Sequence, residues 1–366
     1  MMRKFGIVCL MFLTFISFMG CSKKSEVKED NSEVTPTAAV TTQAPTSTPT
    51  PTIVENHDNE VKSKLTGLWV PKEVGENRPY AIMLNNIKLA SPQSGIEEAS
   101  ILYEAIVEGG ITRFMGIFEE LNETRIGSTR SARHYFVSIA DEYDAIYVHY
   151  GETTYATKKI KSLGIDTLSG LTGIGETIFY RDSTIKAPHN AFATKAGILE
   201  GTKVKGYETK YKEGYESHFT FAEHVPMTKG EDARKLTLNF SNYTSPYFTY
   251  DENKQVYNRF QFNEKHIDYN SKEQLAFKNI IIQFVKEWDI DKNDYQTMDL
   301  EDASGEGYYI SSGKKVDITW KKNESTKMMR YYDASGNELT INEGKTYIAL
   351  FPNDRIADVV IKAKGE

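Results

Sequence analysis

The sequence predicts a mixed α/β domain with a central sheet, followed by a smaller β-rich domain. Two observations carry this. Between Arg78 and Gly164, short apolar or alternating runs of strand length exchange with segments of helical period, as in one layered α/β unit. From Leu236 to Phe351, strand-length runs follow one another with turn signals between them.

Residues 80–84 are apolar enough for a buried strand, with Asn85-Asn86 at its end, and Pro92-Gln93-Ser94-Gly95 marks a turn. Residues 101–107 and 112–119 alternate. Gly109-Gly110 between them accepts positive φ and suits a two-residue hairpin. That hairpin pairs Glu108 with Ile111, Val107 with Thr112, Ile106 with Arg113 and Glu104 with Met115. It sends Tyr103, Ala105, Val107, Phe114 and Phe118 to a core face. Glu104, Glu108 and Arg113 share the other face, with Arg113 diagonal to both carboxylates.

Residues 126–131 form a loop that opens a helix, capped by Ser128 or Ser131, with Ala132, Tyr135 or Phe136, Ile139 and Tyr143 at helical spacing. Arg130 and Arg133 fall at that helix start. Cations oppose the helix dipole there by a few tenths of a kcal/mol, and a bound anion would offset this. A strand over 145–150 contains His149, and a helix over 152–163 ends at Gly164. A second polar knot follows, Arg181-Asp182 and then Pro188-His189-Asn190, before a helix over 193–199. Later strands are expected at 236–240, 246–250, 256–262, 280–285, 315–320, 328–332 and 347–351, forming a small antiparallel sheet or barrel. The expected organisation is a leader (1–21), a tether (22–62), an α/β domain (63–216) and a β-rich domain (217–366).

The leader begins with Arg3-Lys4 and continues as an uncharged apolar run over residues 5–19, short for a membrane span and suited to a signal segment. The Thr- and Pro-rich stretch after it cannot bury a core and favours extended chain. The two cysteines, Cys9 and Cys21, both lie in the leader, so the mature fold is expected to hold neither a disulfide nor a thiolate site. A formal net charge of −7 argues against a nucleic-acid partner.

Several chemistries are excluded. Gly170 to Thr177 has P-loop spacing, but Glu176 stands where Lys is needed and would repel phosphate. There is no G-x-S-x-G elbow, no H-E-x-x-H and no cofactor motif, so no cofactor and no metal are expected. Two clusters remain. The first is Glu104, Glu108, Arg113, Arg130 and Arg133. It can be an ion-pair network holding strands to a helix, or an anion site of guanidinium forks and helix N–H groups. The second is Arg181, Asp182, His189 and Asn190. It can be a hydrogen-bonded loop, or the rim of the same pocket, with His189 titrating near neutrality. His149, at the end of its strand, is a further ligand-binding candidate.

Gly20-Cys21 at the end of the apolar run resembles a bacterial lipobox, which implies a diacylated Cys21 as the mature N-terminus. The folded part resembles the YerB-like family of Gram-positive lipoproteins. The matching residues are Arg78-Pro79, Pro92-Gln93-Ser94-Gly95, Tyr103-Glu104, Glu108 to Phe114, Arg130-Ser131-Ala132-Arg133, Tyr143 to His149 and Ala187-Pro188-His189-Asn190. Lys278 to Ile281 and Gly344 to Tyr347 match more loosely, and Tyr150 stands where the family usually has Gly. The resemblance implies a two-domain α/β fold on a lipid anchor at the extracytoplasmic face of the cell membrane. It implies no activity. The expected function is binding of an anionic envelope component or a partner protein. An enzyme acting on phosphate-bearing wall polymer or lipid-linked glycan, and a scaffold of a membrane complex, are the alternatives.

Overall fold

The computed structural model describes residues 56–366 except 224–226, 228, 302 and 324. The leader, Cys21 and most of the tether lie outside the described residues. The main strands are β1 (Tyr80–Asn86), β2 (Ile101–Ile106), β3 (Thr112–Phe118), β4 (Ile146–His149), β5 (Thr167–Ser169), β6 (Lys235–Leu238), β7 (Tyr247–Asp251), β8 (Val256–Gln261), β9 (Asn279–Val285), β10 (Ser304–Ser311), β11 (Lys314–Lys322), β12 (Thr346–Pro352) and β13 (Val359–Lys362). The main helices are α1 (His134–Glu142), α2 (Thr154–Leu163) and α3 (Lys195–Lys205).

Among the described residues, one sheet of 11 strands dominates. Its central order is β11-β10-β9-β12-β2-β3-β1-β4-β5. The strands at its middle are buried on both faces because both faces are covered: every residue of β1, β2, β3, β9 and β12 is buried. A second sheet, containing β8-β7-β6-β13, packs on one face. Its Phe248 ring lies 4.8 Å from that of Tyr347 on β12, and Phe277 lies 5.6 Å from the same ring. On the opposite face Tyr135, Phe136, Ile139 and Ala140 of α1 join a core with Met83, Tyr103, Met115 and Ile117.

Strands of the two halves of the chain therefore share one sheet. β12 pairs in parallel with β2 on one side and with β9 on the other. The later strands do not close into a small antiparallel sheet or barrel of their own. β9 to β12 extend the first-half sheet, and only β6, β7, β8 and β13 form a separate layer. The parallel pairing is invisible to local pattern, because β2 and β12 lie far apart in sequence and neither run carries a sign of its partner. β10 carries Gly305 and Gly307 among polar residues, which hid it from the strand signal.

The 101–118 hairpin exists with a register one residue from that expected. Glu104 lies opposite Phe114, Ala105 opposite Arg113 and Ile106 opposite Thr112. The loop is longer than two residues: Val107 N–H bonds Ile111 O at 2.8 Å, and Glu108–Gly110 form a 3-10 turn with Gly109 and Gly110 both at φ +70°. A shift of one exchanges faces. Arg113, Met115 and Ile117 lie on the Tyr103 face, whereas Phe114 lies on the Glu104 face. The expected α1 cap also differs. Arg133 is the N-cap and makes no side-chain capping bond. α2 and its left-handed Gly164 cap are as expected, though the helix begins at Thr154 behind the Thr153 cap. α3 is longer than expected.

β1, β2, β4, β5, β9 and β12 all point the same way, with β3 antiparallel to its neighbours. Their carboxyl ends form one edge, where open α/β sheets bind ligands. The shared sheet makes a prediction. Residues 56–216 expressed alone leave β2 with an unpaired edge, apolar but for Glu104. They are expected to aggregate or to give poorly dispersed amide spectra. Residues 56–366 are expected to unfold in one transition that far-UV circular dichroism and tryptophan fluorescence report alike.

Candidate functional site

The register separates the expected first cluster into two. Glu104 faces the second sheet and is fully buried, as is Arg259 of β8. The two meet at 2.7 Å. Glu104 Oε2 also accepts from Tyr347 Oη at 2.6 Å, and Oε1 accepts from Asn86 Nδ2 at 2.9 Å and Thr112 Oγ1 at 2.6 Å. A buried carboxylate survives only with such compensation. Here the donors come from β1, β3, β8 and β12.

Arg259 Nη1 donates to His266 Nδ1. Guanidinium is a donor only, so the ring proton sits on Nε2 and bonds Gln93 Oε1 at 2.7 Å. His266 is thus neutral, and burial followed by the Arg259 charge holds its pKa well below the usual value. Gln261 Nε2 completes the network on Asn86 Oδ1 at 2.8 Å. Arg259 and Gln261 escaped sequence reasoning. The available signal was their place beside Tyr257 on the same face of β8, a polar pair where the alternation calls for core. With these donors engaged, Glu104 is a structural residue.

The second part of the cluster lies at the carboxyl edge. Arg113, at the start of β3, is buried and donates to Ser131 O at 2.8 Å, with Glu108 Oε1 3.7 Å from its Nη2. Arg133 is also buried. It grips Glu108 through Nε (2.9 Å to Oε2) and Nη2, and donates to Ala132 O at 2.9 Å and Ser131 O at 3.2 Å. Arg130 is half-buried. Its Nη1 donates to Pro188 O at 3.0 Å, its buried Nε has no partner, and no carboxylate among the described residues lies within ion-pair distance of it.

Two guanidinium groups therefore hold one carboxylate, and Arg130 stands beside them as a third cation. The titration behaviour follows. Burial, then the Arg133 charge, pulls Arg113 down to about 9 against the opposing pull of Glu108. Burial and then Arg133 also lower Arg130. Burial tends to raise Glu108, but the charges of Arg113 and Arg133 outweigh it and its pKa falls.

The second polar knot touches this group. Asn85, opposite Arg113 in the β1–β3 pairing, donates through Nδ2 to His189 Nδ1 at 3.0 Å, leaving the ring proton on Nε2. Burial, then Arg130 and Lys186, lowers the His189 pKa. Arg181 donates to Asn190 Oδ1 at 2.8 Å and lies 4.7 Å from the ring centroid of Tyr150, whose N–H bonds Arg130 O. Like Arg130 and Lys186, it pairs with no carboxylate among the described residues. Asp182 and Asn190 serve the loop: Asp182 binds Thr184 and Arg125, and Asn190 Nδ2 donates to Asp182 O. His149 is buried and saturated, its Nδ1 on Gly151 O and its Nε2 on Thr167 Oγ1, each at 2.8 Å. The arrangement brings together Glu108, Arg113, Arg130, Arg133 and His189, with Arg181 adjoining through Tyr150. Asn85 and Lys186 join them, the first at a strand end and the second inside the loop already singled out.

Fold and edge define a mixed α/β protein whose two halves share a sheet and whose carboxyl edge carries excess positive charge. Residues 65–208 match the family described as "Protein of unknown function (DUF3048) N-terminal domain", and residues 236–348 match its C-terminal domain. The chain is 30% identical to "Putative lipoprotein YerB" of Bacillus subtilis (strain 168), over 100% of this chain and 99% of that protein. The crystal structure of the Bacillus subtilis YerB protein matches with a TM-score of 0.74, covering 82% of this chain and 99% of that one. The chain belongs to this YerB-like family.

Two predictions follow from the Glu104 network. Arg259→Leu strands a buried carboxylate and is expected to cost about 3–5 kcal/mol in urea unfolding, while adding Glu104→Leu recovers a large part of the loss. His266 is depressed when folded, so its stabilising effect is present above the unfolded value of about 6.5 and is lost as pH falls. Unfolding free energy is expected to fall below about pH 6.5, and His266→Asn is expected to flatten that slope.

Proposed function

We propose that the protein is a lipid-anchored envelope protein that binds an anionic group at the carboxyl edge of the shared sheet. The observation that carries this is the charge imbalance: Arg113 and Arg133 share the single carboxylate of Glu108, while Arg130 has no carboxylate within ion-pair distance among the described residues and keeps an unsatisfied Nε. Arg181, Lys186 and the Nε2–H of His189 add to the same sign. Guanidinium forks match phosphate and carboxylate oxygens, and a charge-assisted bond is worth about 1.5–3 kcal/mol. The ligand is an anionic envelope component, or an anionic segment of a partner protein. The anchor is proposed from the lipobox-like Gly20-Cys21 and from the lipoprotein name of the Bacillus subtilis relative. Among the described residues no helix is long and apolar enough to cross a membrane.

Sulfate tests the reading because it does not titrate near neutrality. It is expected to raise the melting temperature of the wild type, and Arg130→Ala is expected to weaken it about tenfold or more with little effect on the unliganded melt. Arg133→Ala, by contrast, leaves Glu108 short of its main partner and should lower the unliganded melt. Absence of any sulfate-dependent rise would reduce the cluster to a packing device. The pH dependence has a definite sign. A bound anion favours charged His189, whose pKa is held down by burial, Arg130 and Lys186. Sulfate affinity should therefore rise as pH falls through the His189 titration, and His189→Gln should remove that rise.

A further inference from the structure

The cation cluster has an apolar rim. Leu171, in the loop after β5, is 65% exposed. Its side chain folds over Gly151: a Cβ placed there would lie 3.7 Å from Leu171 Cδ1 and 3.0 Å from Ser131 Oγ. Ser131 is the residue whose carbonyl receives Arg113 and Arg133. Across the cluster, Arg130 donates to Pro188 O, and Ala187 and Pro188 are both exposed. Exposed apolar side chains scattered singly mean little. Here Leu171 lies beside Ser131 and Pro188 accepts from Arg130, so both flank a group of cations short of counter-charge.

A free inorganic anion would use the guanidinium groups and leave this rim wet. An amphiphile uses both. We propose that the ligand is a phosphate monoester carried on a hydrocarbon chain. Its phosphate sits among Arg130, Arg113 and the Nε2–H of His189, and its chain lies along Leu171. This rests on the anion-binding reading and adds the ligand class to it. The shared chemistry is the phosphate head; a lipid phosphate and a soluble phosphate ester differ only in the chain.

Methyl phosphate and hexyl phosphate separate these sources, titrated by calorimetry into the full chain, with hexanol as the control for chain alone. Hexyl phosphate is expected to bind about tenfold tighter than methyl phosphate, since several methylenes leave water. Hexanol is expected not to bind measurably. Leu171→Ser should reduce the preference to threefold or less while methyl phosphate affinity stays as in wild type, and Arg130→Ala should weaken both esters together. Equal affinity for the two esters would overturn the amphiphile inference and leave the anion reading in place. Binding of neither ester would overturn both. Hexanol binding as tightly as hexyl phosphate would show an apolar site that does not use the arginines, and would overturn the inference.

Discussion

The structure depends on the seam where β2 meets β12. Two strands from opposite halves of the chain pair in parallel there, and on one face of that seam sits the buried carboxylate of Glu104. Carboxylate oxygens in so dry a place need several donors, and no single element can supply them. Glu104 draws on Asn86 at the end of β1, Thr112 at the start of β3, Arg259 on the covering sheet and Tyr347 on β12. The demand for donors therefore fixes how the two layers and the two halves sit together. Arg259 is in turn held by His266, and His266 by Gln93, which binds the Asn85 carbonyl. A polar chain of this kind is worth its desolvation only if every link is made.

That seam also sets the carboxyl edge. Asn86 binds Glu104 on one face, and its neighbour Asn85 orients His189. Thr112 binds Glu104, and its neighbour Arg113 projects to the opposite face towards Ser131. Alternation along β1 and β3 thus places a charge-balanced network behind the sheet and a charged, under-neutralised one in front of it. The two clusters are consecutive residues of the same strands with opposite roles.

Much of this was legible in the sequence, and the failures have a common cause. The Arg and Glu residues at the edge, the Pro188-His189-Asn190 loop and the mixed α/β class are carried by local pattern and composition. The pairing of β2 with β12 is not, because parallel partners leave no turn between them to read. The hairpin shows how sharp the dependence is. Reading Gly109-Gly110 as a two-residue turn, instead of a 3-10 turn over Glu108–Gly110, shifted the register by one and put Glu104 beside Arg113. The turn decided which of these residues could meet. Arg259 and Gln261 went unnoticed for a related reason, since a polar pair on a buried strand face makes sense only once the opposing carboxylate is in place.

The remaining question is which arginine a ligand meets first, and the hydrogen bonds order them. Arg133 is spent: two of its nitrogens hold Glu108 and the third holds two carbonyls. Arg113 is partly spent on Ser131 O and stands 3.7 Å from Glu108, close enough to feel its charge but beyond a hydrogen bond. Arg130 makes one bond, to a carbonyl of the loop that also carries Lys186 and His189. Glu108 does not pair with it: the carboxylate is held by Arg133, with Arg113 3.7 Å away. An incoming anion would therefore contact Arg130 first and reach Arg113 behind it, while Arg133 and Glu108 act as the fixed pair that holds the cations in place. Removing Glu108 would leave three buried or half-buried cations to repel one another, so in the proposed anion site the carboxylate acts as support and not as a competitor for the ligand.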